Sequence, residues 1–120
     1  MDGFMASEGK NATIIEISER LDTTSVNDFK NAVLAVIEET DGLIFDLSRT
    51  SFIDSAGLGA LVNMLKTSHQ LKVKLYLVGL TPQVRQIFEL TRLYRLFDIF
   101  DTLPQAKADF ANPPAAPEKP

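Results

Sequence analysis

Short apolar runs of strand character alternate along this chain with segments whose apolar residues recur every three or four positions. That alternation narrows the fold more than any single motif does. Thr13-Ile14-Ile15-Glu16-Ile17 reads as a strand, and the turn chemistry of Gly9-Lys10-Asn11 offers Met1 to Gly9 as its hairpin partner. Asp22-Thr23-Thr24-Ser25 then supplies several helix N-cap candidates. Val26, Phe29, Val33, Val36 and Ile37 place one apolar stripe on a helix running to about Glu39, which Asp41-Gly42 stops. Leu43-Ile44-Phe45-Asp46-Leu47 has a single polar side chain and reads as a buried strand. Leu58, Leu61, Val62 and Leu65 mark a second helix that fades near His69 and Gln70. Val73, Leu75 and Leu77 alternate with Lys74 and Tyr76 in a further strand. Thr81-Pro82 opens a third helix, since Thr caps and Pro at the first helical position forgoes only an unneeded N–H. A short strand around Phe97 to Phe100 and a helical turn or two over Leu103 to Phe110 follow.

This order predicts an α/β domain over residues 1–111, a central sheet with right-handed βαβ crossovers and helices packed on it. Residues 112–120 contain four prolines and are expected to form a disordered tail dispensable for folding. Phe29, Val33, Phe45, Leu58, Leu61, Val62 and Leu65 lie on the apolar faces of their elements and are expected in the core. In such folds function gathers in loops at the carboxyl ends of strands. Asp22, Asp54-Ser55 and Gly79-Leu80-Thr81 all occupy such loops and are expected to share one rim.

Composition removes several function classes. The 120 residues include no Cys, so disulfides, thiol nucleophiles and thiolate metal sites are excluded. A net charge of −4 argues against nucleic acid, whose binding rests on Lys and Arg neutralising phosphates. No apolar run approaches the roughly 20 residues that span a bilayer, and no leader pattern opens the chain, so a cytoplasmic domain without membrane insertion is expected.

The stretch Ser51-Phe52-Ile53-Asp54-Ser55-Ala56-Gly57-Leu58-Gly59 sets an acid, a hydroxyl and two glycines at a strand-to-helix junction. A nucleophilic Ser55 needs a base, and the one histidine, His69, lies about 21 Å along the same helix at 1.5 Å per residue. His69 reads better as a solvated helix-end residue favourable to the dipole. Ile44 to Ser55 resembles the first motif of haloacid dehalogenase-like phosphatases, with Asp46 as nucleophile and Thr50 as the hydroxyl. Ser48 stands where that family's second carboxylate belongs, so general acid and base are both missing. The plainer reading of Asp46 is a strand-end carboxylate bonded to backbone or Arg49. No phosphate-cradling glycine pattern is present. What fits best is a site that is itself modified. Asp54 or Ser55 caps the helix, leaving the Ser55 hydroxyl beside the first-turn N–H groups that can hold a phosphate. Gly57 and Gly59 allow a partner's close approach, permit tight helix–sheet packing, or do both.

Three segments then carry a wider resemblance: Arg20 to Phe29 (RLDTTSVNDF), Ile44 to Leu61 (IFDLSRTSFIDSAGLGAL) and Leu75 to Phe100 (LYLVGLTPQVRQIFELTRLYRLFDIF). In this order and spacing, the chain from about Thr13 to Ala106 resembles a STAS domain, and in particular a bacterial anti-sigma factor antagonist. The resemblance implies a mixed sheet with helices and a non-enzymatic protein with no cofactor, metal or catalytic residue. It implies Ser55 as a phosphorylation site and a partner surface of Asp22, Thr23, Asp54, Ser55, Ala56, Gly57, Leu58 and Thr81. The implied partners are an anti-sigma factor with Ser kinase activity, which releases its sigma factor on binding, and a phosphoserine phosphatase that reverses the modification. An alternative within the fold is a regulatory or structural subunit of a lipid or anion transport complex. Glu19 and Arg92 stand where the family has glycines, and Ala56 where Ser or Thr is frequent.

Overall fold

The computed structural model describes residues 11–112. The elements run β1 (Ala12–Glu16), β2 (Arg20–Leu21), α1 (Val26–Leu34), a 3₁₀ turn (Ile37–Glu39), β3 (Gly42–Asp46), β4 (Phe52–Ile53) and α2 (Ser55–Gln70). They continue with β5 (Lys74–Val78), α3 (Pro82–Thr91), a second 3₁₀ turn (Leu93–Arg95), β6 (Asp98–Phe100) and α4 (Leu103–Ala111). The main sheet has the order β1-β3-β5-β6, and a separate two-stranded sheet pairs β2 with β4. Every ladder among the described residues is parallel. The hairpin partner expected from Met1 to Gly9, and the proline-rich end from residue 113, lie outside the described residues.

The chain steps across the main sheet in one direction, so right-handed crossovers place α1, α2 and α3 on the same face. Strand periodicity divides the core accordingly. Leu43, Phe45, Leu75 and Leu77 join the large cluster under α1, α2 and α3, with Phe29, Val33, Leu61, Met64, Val84 and Phe88. Ile44, Tyr76 and Val78 point the other way, into a smaller cluster closed by Ala106 and Phe110 of α4. The Tyr76 hydroxyl donates to Asp109 at 2.5 Å, fastening α4 to the sheet. β3 is thus covered on both faces, which is why its sequence is almost wholly apolar.

Helix starts follow their local chemistry. The Thr81 hydroxyl accepts the Val84 N–H and Pro82 occupies the first turn of α3. At α4, Thr102 and Gln105 form a reciprocal capping box. Two expectations need correction. The first helix ends at Leu34 rather than Glu39, because the chain tightens to 3₁₀ geometry, with the Val36 N–H donating to Val33 O at 3.1 Å. Leu58 and Val62 are only half-buried, because they sit at the flank of α2 while Gly57, Ala60, Leu61, Met64, Leu65 and Ser68 take the inward face.

Candidate functional site

The rim at the carboxyl end of the sheet is built by pairing two short strands. Arg20 and Leu21 lie opposite Phe52 and Ile53, so one Asp follows each strand at equivalent positions, Asp22 and Asp54. The Asp54 N–H donates to Leu21 O at 3.3 Å and continues this register into the loops. The Arg20 guanidinium stacks 4.2 Å over the Phe52 ring and donates to Asp22 Oδ2 at 3.2 Å.

Asp22 is turned inward. Its Oδ1 accepts the Thr24 hydroxyl at 2.6 Å and the Thr24 N–H at 3.0 Å, and its side chain is only 11% exposed. The Thr24 hydroxyl, with help from the Thr24 N–H and Arg20, holds this carboxyl below the usual carboxylate range, against the opposing effect of burial. Ser25 precedes α1 without capping it through its side chain. Its hydroxyl instead accepts the Asp22 N–H at 3.1 Å and donates to Arg20 O at 2.7 Å.

Asp54 caps α2. Its Oδ1 accepts the Gly57 N–H at 2.9 Å, and its Oδ2 faces the Thr23 N–H at 3.2 Å and the Thr23 hydroxyl at 3.3 Å. The Gly57 N–H, then those two donors, lower the Asp54 carboxyl below its ordinary value, while burial and the Asp22 charge oppose them. The third loop is tied in through Thr81, whose hydroxyl donates to Thr50 O at 2.7 Å. The buried Thr50 hydroxyl in turn donates to Ser18 O at 2.9 Å. Gly79 turns the chain at φ +73, a left-handed conformation that suits glycine. All three loops therefore meet at one rim.

Within this frame Ser55 is the first residue of α2, exposed, and its hydroxyl has no partner among the described residues. Ala56 and Leu58 are half-buried beside it. Ser55, Leu58, Gly59, Val62 and Lys66 recur at three- and four-residue intervals and share one side of α2. Leu58, Gly59, Val62, Asn63 and Lys66 line an open groove of about 320 Å³. Gly59, Val62 and Lys66 were outside the expected partner surface, although their helical spacing from Ser55 was the available signal.

Two expected contact residues change role. Gly57 is buried, and a Cβ there would lie 2.1 Å from Leu21 O, so the glycine exists for packing and offers no surface. The Asp22 carboxylate is spent inside its own loop, so what this loop presents outward is Thr23 and Thr24, both exposed. Thr81 is half-buried with its hydroxyl engaged. Asp46 does not bond Arg49. Its Oδ1 accepts the Ser48 N–H at 2.9 Å, while Arg49 reaches Glu16 at 3.8 Å. His69 is exposed in the last turn of α2, at the far end from Ser55.

The chain belongs to the STAS domain family, whose model matches residues 4–106. Its curated relatives include the anti-sigma-B factor antagonist of Staphylococcus epidermidis, 27% identical over 86 residues, a span covering 71% of this chain and 80% of the relative. Among solved structures, a Thermotoga maritima protein described as an anti-sigma factor antagonist superposes with TM-score 0.77 at 26% identity, over 84% of this chain and 88% of its own. A sulfate transporter family protein from Wolinella succinogenes superposes with TM-score 0.75 at 23% identity, over 90% of this chain and 89% of its own. This last likeness shows the fold alone. Family membership makes the chain a non-enzymatic domain and replaces the phosphatase reading of Asp46. No helix among the described residues is long and apolar enough to cross a membrane.

Proposed function

We propose that this protein is an anti-sigma factor antagonist that works by partner switching, with Ser55 as the phosphorylated residue. Unmodified, it binds a Ser kinase-type anti-sigma factor in the bacterial cytoplasm, freeing the sigma factor for transcription. The kinase phosphorylates Ser55, the complex dissociates, and a phosphoserine phosphatase resets the cycle. The observation that carries this reading is the exposed Ser55 hydroxyl, without a partner among the described residues, on the same side of α2 as the groove lined by Leu58, Gly59, Val62, Asn63 and Lys66 and on a rim otherwise held by hydrogen bonds. A kinase can engage that hydroxyl without unfolding anything. Phosphorylation adds about −1.5 to −2 charges beside Asp54, and a surface that fits a neutral hydroxyl loses affinity when it must desolvate that charge. The antagonist reading draws on sequence relatives of similar length, whereas the transport-complex reading has a likeness of fold alone behind it.

The test is fragment mass spectrometry after incubation with the cognate anti-sigma kinase and ATP, paired with binding titrations. Ser55→Ala should fold normally, resist phosphorylation and keep binding. Ser55→Asp should bind more weakly, because it adds a second carboxylate beside Asp54. Phosphate on Thr50, Ser51 or any residue other than Ser55 overturns the site assignment. Equal affinity of Ser55→Asp and wild type overturns the switch.

A further inference from the structure

We infer that Thr23 is a positioning residue that couples the first rim loop to the start of α2 through Asp54, and that phosphate on Ser55 breaks this coupling. The inference rests on the reading of Ser55 as the switch and adds which element responds to it. The Asp54 carboxylate receives three donors, and Thr23 supplies two of them across 31 residues of sequence. Both Thr23 donors are spent on Asp54. The rest of the loop is fastened to itself, through Asp22 to Thr24 and through the Ser25 hydroxyl to Arg20 O. Thr23 therefore supplies the hydrogen bonds that tie the first loop to the Asp54 carboxylate, and it is exposed.

A phosphoryl group on the adjacent residue brings about −1.5 to −2 charges and three acceptor oxygens to the donors that now serve Asp54. The Asp22 charge already opposes ionisation of Asp54 slightly, and a phosphate on the next residue adds a larger charge of the same sign. Gly57 is held by helix geometry and by packing against Leu21 O, and its N–H stays with Asp54. Thr23 is exposed to solvent, so its donors turn to the phosphate or to water. Either outcome releases the first loop from the switch helix, so the modification remodels a second contact surface besides charging the first.

The experiment is a two-state mutant cycle read by carbon-13 NMR titration of the Asp54 carboxyl. Phosphoserine is installed at position 55 by genetic encoding, which makes the result independent of any kinase. In the unmodified protein, Thr23→Val and Thr23→Ala lose the hydroxyl donor and should raise the Asp54 pKa, while Thr23→Ser titrates like wild type. With phosphoserine at 55, Thr23→Val and Thr23→Ala should no longer move the Asp54 titration. No effect in the unmodified protein, or an equal effect in both states, overturns the inference. If the cycle behaves as expected and no anti-sigma kinase modifies Ser55, the proposed function fails while the coupling stands.

Discussion

The two sides of the first turns of α2 are made from the same small residues and do opposite things. On the inward side, Gly57 lies against the Leu21 carbonyl and Asp54 is bound to both the helix and the first loop. On the outward side, the Ser55 hydroxyl has no partner among the described residues, and a Cβ added at Gly59 meets nothing within 4 Å. A glycine two positions from another is thus a packing requirement in one case and an open approach in the other. The difference teaches that a hydroxyl at a helix start can stay open to solvent while the opposite side of the same turn is held by packing and hydrogen bonds. The loops cannot relax around a modification without breaking named bonds.

The largest effect should come from the inward side. Leu61 is 0% exposed, and Leu61→Ala should cost about 2–5 kcal/mol in denaturant unfolding. A cost below about 1 kcal/mol would mean that this side does not anchor the helix. Gly57→Ala comes next. Its Cβ meets backbone rather than a flexible side chain, so the β2–β4 pairing must shift, at about 1–3 kcal/mol in thermal melts. A neutral result would dissolve the contrast between the two glycines.

Asp54 sharpens the comparison through pH. Its folded pKa lies below its unfolded value, so ionised Asp54 stabilises the fold above about pH 4 and loses that contribution as pH falls through the folded value. The stability gap between wild type and Asp54→Asn should therefore be widest near neutrality and narrow on acidification. A gap unchanged between pH 7 and pH 3 would show that the carboxylate charge plays no part. The smallest effect belongs to Gly59→Ala, which should raise stability by up to about 1 kcal/mol, since Ala is the better helix former and the site is open. If the groove receives a partner, the same variant should weaken partner binding while the protein melts higher. Unchanged affinity would place the contact elsewhere.

Much of this architecture was legible because it is set locally. The apolar run Leu43 to Leu47 announced a strand buried on both faces, and Thr81-Pro82 announced the start of α3. The helical stripe of α2 showed its inward side, although Leu58 and Val62 at its flank read as core when they are half-buried. The candidate site was legible as a position, Ser55 after Asp54, from one motif at a strand–helix junction. The roles around it were not legible. Asp22 was expected on the partner surface, and its carboxylate organises its own loop.

Periodicity and capping residues act over one helical turn or a few strand positions, so the four helices and the main-sheet strands from Thr13 onward were determined by the sequence itself, whereas the two-residue strands β2 and β4 are too short to show a period. Which carboxylate faces outward, which glycine is locked and which threonine reaches Asp54 depend on Arg20-Leu21 lying beside Phe52-Ile53. That pairing joins Arg20 to Phe52 and Leu21 to Ile53, segments far apart in the sequence. A short side chain has hydrogen-bond reach of only about 3 Å, so its partner is decided by tertiary placement rather than by its neighbours in the chain.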